Sequence, residues 1–337
     1  MKTPDTYSYP ARLAARLIDI PSVTGSEAAM LLSLEEQCEQ MGLITEREQV
    51  SRDRWNLYAG WQTHTDVLFC THVDTVPPFF PARFEGEILY GRGACDTKGI
   101  IAAMLVAGGR LIESGYDPAF LFVVGEETDS IGAQTAARGE RSADFIIVGE
   151  PTDNMLASGH KGVLSYTLST EGIAVHSAYP ERGISAIHAL LDLLSDIRYT
   201  DWGSSPLLGS ATTNIGLIEG GVAMNTLAPN ASATVVHRIV DDTESRKAQL
   251  LHLIDGRASV RFQSISEPQI LTTVTGFPTK PVSFGTDIPY LSSMGNCLLF
   301  GPGSIHDAHR EDEKIRISEI EYAVDAFVSL YHALRKK

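Results

Sequence analysis

Apolar and polar positions follow two habits along the first 150 residues. Residues 10–20 and 26–41 set apolar side chains at helical spacing, and "KGIIAAMLVAGGRLIESG" at 98–115 does the same. Around them run short, nearly continuous apolar stretches: "WNLYAG" at 55–60, "DVLFCTH" at 66–72, "AFLFVVG" at 119–125 and "DFIIVG" at 144–149. Strands that are apolar on both faces and alternate with helices predict an α/β domain whose central, mostly parallel sheet is covered by helices. Chemistry in such sheets gathers at the carboxyl ends of the strands. There the apolar runs give way to His, Asp or Glu.

The pattern changes after residue 162. Strand 163–171, helix 184–197, strands 211–219 and 231–240, helix 243–255 and strand 258–264 follow in β-α-β-β-α-β order, the ferredoxin-like plan. The expected organisation is a discontinuous first domain, 1–162 and 268–337, with an α+β domain at 163–267 inserted into it. "KPVSFGTDIPYLSSMGNCLLFGPGS" and a closing helix at 318–335 return to the earlier style.

Composition narrows the possible partners. The 337 residues exceed the roughly 100–150 of one ordinary core. Asp and Glu number 42 against 27 Lys and Arg, a net charge of −15, which argues against nucleic acid or an anionic membrane as the main partner. The first twenty residues lack a signal peptide's apolar core, and no later run of about 20 apolar residues could span a bilayer, so a cytoplasmic protein is expected. Cys38, Cys70, Cys95 and Cys297 form no CxxC pair. A bound metal would therefore be held by His and carboxylates.

Candidate chemistry sits in five places. "THVDTVPP" puts His72 and Asp74 two residues apart, on one face of a strand, where a carboxylate-held imidazole can bind metal or act as a base. A lone pair of this kind is more often a surface His and Asp at a fraying strand end. "GRGACDTKG" delivers Asp96 after a glycine turn; it can equally cap the helix at 98. Gly91 and Gly93 lack the third glycine of a dinucleotide fingerprint, which disfavours a nucleotide-binding oxidoreductase. "GEETDSIGA" ends a strand in Glu126 and Glu127, whose opposite directions let one bind a cation while the other moves a proton, or leave both solvated at a helix start. "GEPT" brings Glu150, and "GPGSIHDAH" brings His306 and His309. Together they form a mixed N/O donor set for one or two divalent cations such as Zn²⁺, about 3.5–4 Å apart if one Asp bridges them.

These five motifs, in this order and with the 163–267 insert between the fourth and fifth, resemble the M20 family of co-catalytic zinc aminoacylases and exopeptidases. Its members include acetylornithine deacetylase, succinyl-diaminopimelate desuccinylase, carboxypeptidase and aminoacylase. The resemblance implies two Zn²⁺, replaceable by Co²⁺, with His72 and Glu150 completing one site, Glu127 and His309 the other, and Asp96 bridging. It implies Asp74 as the orienter of His72, Glu126 as general base, and a cis bond between Asp96 and Thr97. "GIAVHSAYPERGISAI" resembles the lid motif whose histidine, here His176, stabilises the oxyanion in the partner of a homodimer. Asn225 and Arg238 resemble substrate-carboxylate contacts, although Val236 replaces the usual Asp two residues before the arginine. "FGTDIPYL" resembles a substrate-side loop, with Gly285, Thr286 and Asp287 matching.

The implied activity is hydrolysis of an N-acyl-L-amino acid. The "GEPT" and "FGTD" motifs lean towards an acetylornithine deacetylase in arginine or lysine biosynthesis. Succinyl-diaminopimelate desuccinylase, a carrier-protein-linked lysine or ornithine hydrolase, and a dipeptidase or carboxypeptidase stay open. A ligand-binding descendant without catalysis is disfavoured because the whole ligand set and Glu126 are present.

Overall fold

The computed structural model describes residues 6–335. The chain divides into two compact units, one made of residues 1–158, 271–280 and 286–337, the other of 159–270 and 281–285. Residues 1–5 and 336–337 of the expected first domain lie outside the described residues.

The first unit is built on a mixed six-stranded sheet. Its strands run, in spatial order, Thr45–Ser51, Arg54–Ala59, Ala119–Val123, His64–His72, Ser142–Val148 and Asn296–Leu299. The four from Ala119–Val123 onward pair in parallel, and the first two add antiparallel pairs at one edge. The parallel strands are those that read as unbroken apolar runs, because helices cover them: Lys98–Glu113 and Ile317–Arg335 share one core with Phe69, Phe120, Phe122 and Phe300. Phe327 meets Phe69 and Phe300 edge to face, at 5.7 and 5.1 Å between ring centroids. Thr45–Ser51 was not expected from the sequence. Its "TEREQVS" carries one apolar residue, Val50, because an edge strand can be held mainly by its backbone ladder, here to Arg54–Ala59, to which Glu48 adds acceptors for Asn56 and Tyr58.

Packing also explains one glycine. A Cβ on Gly149 would stand 2.7 Å from both Ile100 Cγ2 and Met104 Cε, so its absence lets the Lys98–Glu113 helix close on the strand end that delivers Glu150.

The second unit is an antiparallel sheet in the order Thr212–Gly220, Asn230–Ile239, Gly162–Glu171, Ser259–Ser266. Helices Ala186–Tyr199 and Thr243–Ile254 pack on Gly162–Glu171, giving one core of Leu164, Tyr166, Leu190, Leu193, Val235 and Leu250. This is the ferredoxin-like strand order. The unit begins at 159 rather than 163 because His160 and Gly159 pair with Gln269 and Ile270, tying its two ends together. Among the described residues no helix is long and apolar enough to cross a membrane.

Candidate metal centre

Strand ends and turns of the first unit converge on one polar cluster, buried at His72, Asp96 and Glu150 and open to solvent at His309. Strand His64–His72 ends in His72, which is buried, and the Nδ1–H donates to the Asp74 carbonyl at 3.0 Å with Asp74 Oδ1 3.5 Å away. That fixes the ring so that Nε2 faces Asp96 Oδ1 at 3.0 Å and Glu150 Oε1 at 3.9 Å. The other oxygen of Asp96 lies 3.3 Å from Nε2 of His309, whose neighbour Glu127 is 2.9 Å away. His72, Asp96 and Glu150 form one group with ligand atoms within 4.8 Å of one another, and Asp96, Glu127 and His309 form a second. Asp96 belongs to both. His309, the histidine the family resemblance put forward, belongs to the second group, whereas His306 is exposed and outside both groups.

The surrounding backbone is fixed by named side chains. Asp74 is wholly buried; its Oδ1 accepts the N–H groups of Gly125 and Glu126, and its Oδ2 accepts those of Glu127 and the Thr24 hydroxyl. The Thr97 hydroxyl donates to the His72 carbonyl at 2.6 Å, and the Asp96–Thr97 bond is cis. Lys98, buried, donates to the Ile20 carbonyl at 2.6 Å. Glu313 accepts the N–H groups of Cys95 and Asp96 and pairs with Arg92. Sequence reasoning assigned no part to Thr24, Lys98, Arg92 or Glu313. Glu313 stands four residues beyond His309 in the same polar stretch, and Arg92 and Lys98 lie inside the Asp96 motif, so only their partners were illegible.

Charge explains why such a cluster suits cations. Burial pushes Glu126 and Glu150 well above the usual carboxylate range, and neighbouring carboxylates push the same way. Asp287, also buried, rises to about 6 for the same first reason, against a hydrogen bond from Ser130. Burial would raise Asp74 and Asp96 too, but bonds from His72 and Thr24 in one case and from His309 and His72 in the other hold both below it. His309 is raised to about 10 by hydrogen bonds to Asp96 and Glu127; His72 is raised by Asp74 and Asp96 although burial opposes it. With protons as the only cations, the imidazoles hold them where carboxylates converge. A divalent cation does the same work by displacing those protons, so the donor set fits one. His64, Asp66 and Asp144 also cluster at the amino ends of these strands, but all are exposed and Arg335 Nε holds Asp66 at 2.8 Å.

The second unit holds the remaining candidates. His176 and Asn225 are exposed and drawn together: the Ser177 N–H donates to the Asn225 carbonyl at 2.9 Å, and the Leu227 N–H donates to the Val175 carbonyl at 2.9 Å. Arg238 lies on the other face of this unit's sheet from buried His237; a Cβ on Gly285 would be 3.5 Å from its Nη1. Burial and then the Arg238 charge lower both His160 and Lys161. In the first unit, Thr286 is buried and its hydroxyl accepts the Ile288 N–H.

The model of peptidase family M20/M25/M40 matches residues 62–333, and the chain belongs to that family. An M20 domain-containing protein of Schizosaccharomyces pombe is 40% identical over 318 residues, spanning 90% of this chain and 79% of that one. A probable carboxypeptidase of Aspergillus clavatus is 35% identical over 353 residues, 92% of this chain and 85% of its own. Among solved structures, a tripeptidase from Staphylococcus aureus superposes with a TM-score of 0.84 at 20% identity, covering 99% of this chain and 100% of that one. An M20 family metallo-carboxypeptidase from Sulfolobus solfataricus gives 0.78 at 16% identity over 97% and 99%. The protein is a metal-dependent hydrolase of amide bonds.

Proposed function

We propose that this chain hydrolyses the amide bond next to a free carboxylate in a short peptide or N-acyl amino acid, at a centre of two divalent cations held by His72, Asp96, Glu127, Glu150 and His309. The observation that carries the reading is the shared Asp96, one oxygen facing His72 and the other facing His309. Imidazole and carboxylate donors without thiolate suit Zn²⁺, with Co²⁺ as a substitute. When bound, the cations supply Lewis acidity towards a water and towards the scissile carbonyl. Glu126, whose basicity burial raises, takes the proton from the water and returns it to the leaving amine. Asp74 holds the His72 ring by its Nδ1 side and, through three backbone N–H groups, fixes the segment carrying Glu126 and Glu127.

Roles in the second unit follow the family resemblance. His176 supplies a donor to the oxyanion in a second copy of the chain, and Asn225 and Arg238 engage the substrate carboxylate, with Gly285 next to Arg238. The nearness of the Arg238 charge to Lys161 supports an anionic ligand for this unit. The relatives' names, carboxypeptidase and tripeptidase, support peptides as substrates and give no support to acetylornithine deacetylation in arginine biosynthesis. The second unit also supports a homodimer: strand Thr212–Gly220 is an open sheet edge, and Leu217, Ile218 and Val222 beside it are exposed.

The test is a panel of dipeptides, tripeptides, N-acetylornithine, N-acetylcitrulline and N-succinyl-diaminopimelate, run before and after chelation. Hydrolysis of peptides with a free C-terminus, lost on chelation and restored by Zn²⁺ or Co²⁺, is the expected result. Cleavage of the N-acyl amino acids alone would move the assignment to the deacetylase branch. A protein that binds no metal and turns over nothing would instead be a ligand binder.

A further inference from the structure

The turn that presents Asp96 is gripped by an ion pair with no contact with solvent to speak of. Arg92 is 1% exposed and Glu313 0%. Glu313 Oε1 accepts two consecutive backbone N–H groups, those of Cys95 and Asp96, each at 3.1 Å. Its Oε2 takes Arg92 Nη1 at 2.5 Å, and Arg92 Nε donates to the Pro78 carbonyl at 3.1 Å. The Glu313 main chain joins in, its carbonyl accepting the Gly91 N–H at 3.1 Å. Arg92 and Asp96 share one glycine turn, and Glu313 follows His309 by four residues. A single carboxylate thus ties the turn bearing the shared ligand to the loop bearing the second histidine.

Stability alone does not account for these residues. A buried ion pair is often replaceable by apolar side chains of similar volume without loss. An apolar pair cannot accept two adjacent N–H groups, one of them that of Asp96 itself. Adjacent N–H groups left unpaired in a buried turn would let it shift, and a small shift separates an Asp96 oxygen from His72 or from His309.

We propose that Glu313, held in place by Arg92, is a positioning residue that fixes the Asp96 carboxylate between His72 and His309 and thereby sets the metal affinity of the centre. The proposal rests on the dinuclear reading given above.

The experiment measures Zn²⁺ and Co²⁺ binding by chelator competition, with the visible absorption of the Co²⁺-loaded protein and the thermal melt of the metal-free protein recorded alongside. Wild type comes first: if it binds no metal, the dinuclear reading fails. The variants are Glu313→Ala, Glu313→Gln, and the double variant Arg92→Met with Glu313→Leu, which leaves no unpaired charge buried. Glu313→Ala and the double variant should lose about 10–100-fold in affinity and change the Co²⁺ spectrum. Glu313→Gln, which keeps an oxygen for both N–H groups, should lose less than that range and keep the spectrum. A cooperatively melting double variant with wild-type affinity and spectrum overturns the proposal while leaving the metal centre intact. If neither removal variant melts cooperatively, Glu313→Gln decides: retained affinity and spectrum support the role, and a loss as large as tenfold refutes it.

Discussion

Asp74 lies two residues beyond the end of its strand and Glu126 three beyond the end of the neighbouring one, and although burial raises both, their neighbours send them in opposite directions. Asp74 faces the His72 imidazole and is ringed by three N–H groups and the Thr24 hydroxyl, and is held below its usual range despite burial. Glu126 is held well above it, first by burial and then by the carboxylates of Asp287, Asp96 and Glu127, against the pull of His72. Two carboxylates with separated proton affinities divide the labour of orienter and base. Glu126→Gln should therefore lower kcat by about 10²–10⁴-fold while metal content stays unchanged. Steady-state kinetics on the metal-loaded variant, with metal counted by atomic absorption, checks this; full activity would remove Glu126 from the mechanism.

Elements carry a different kind of prediction. Strand Asn230–Ile239 buries His237 between the Tyr166 hydroxyl and the Thr213 hydroxyl, each 2.8 Å from a ring nitrogen, with Trp202 at 4.0 Å between centroids. Burial lowers its pKa from 6.5 to about 4. The folded form thus binds its proton less readily than the unfolded chain does. Stability from this residue is complete above pH 6.5, falls as pH drops from 6.5 towards 4, and changes by about 3 kcal/mol over that window. Urea denaturation at pH 7 and pH 4.5, comparing wild type with His237→Gln, should show a smaller acid loss in the variant. An equal loss in both would assign the acid sensitivity elsewhere. Elements also mark what the sequence concealed. Thr45–Ser51 is held by backbone pairing and polar side chains such as Glu48, with Val50 its one apolar residue, so it leaves little apolar trace, whereas Ser142–Val148, buried at its end, announced itself.

At the scale of the whole molecule the question is whether the open edge Thr212–Gly220 meets a second copy. Leu217 is 65% exposed and Ile218 54%, an unusual placement for side chains of this size on a strand. Lysines at both positions should convert a dimer to a monomer, measured by size-exclusion chromatography with light scattering. Peptide hydrolysis should fall with it if His176 acts on the partner. A wild-type monomer with full activity would sink both the interface and that role for His176.

Much of the site was legible in the chain because each strand ending is local. His72 with Asp74, Glu126 with Glu127, and Asp96 after its glycines are separated by one turn or less, and period-two geometry says which of them share a face. The same patterning marked the apolar strands, the helices and the β-α-β-β-α-β run. What local pattern cannot specify is which strand lies beside which. The sheet places Ala119–Val123 and Ser142–Val148 on either side of His64–His72, which sets Glu127 and Glu150 near His72, and turns outside that sheet then bring Asp96 to His72 and His309 to Glu127, groups 24 and 182 residues apart. A separate small sheet, pairing Lys314–Arg316 with Ile88–Tyr90, brings Glu313 to Arg92 across 221 residues, and the bridge of Val23 to Thr75 brings Thr24 to Asp74 across 50. Sequence determined which side chains would stand at the strand ends, because periodicity is written residue by residue. Tertiary structure decided which of them share a carboxylate, because that depends on pairing between segments whose sequences carry no record of their neighbours.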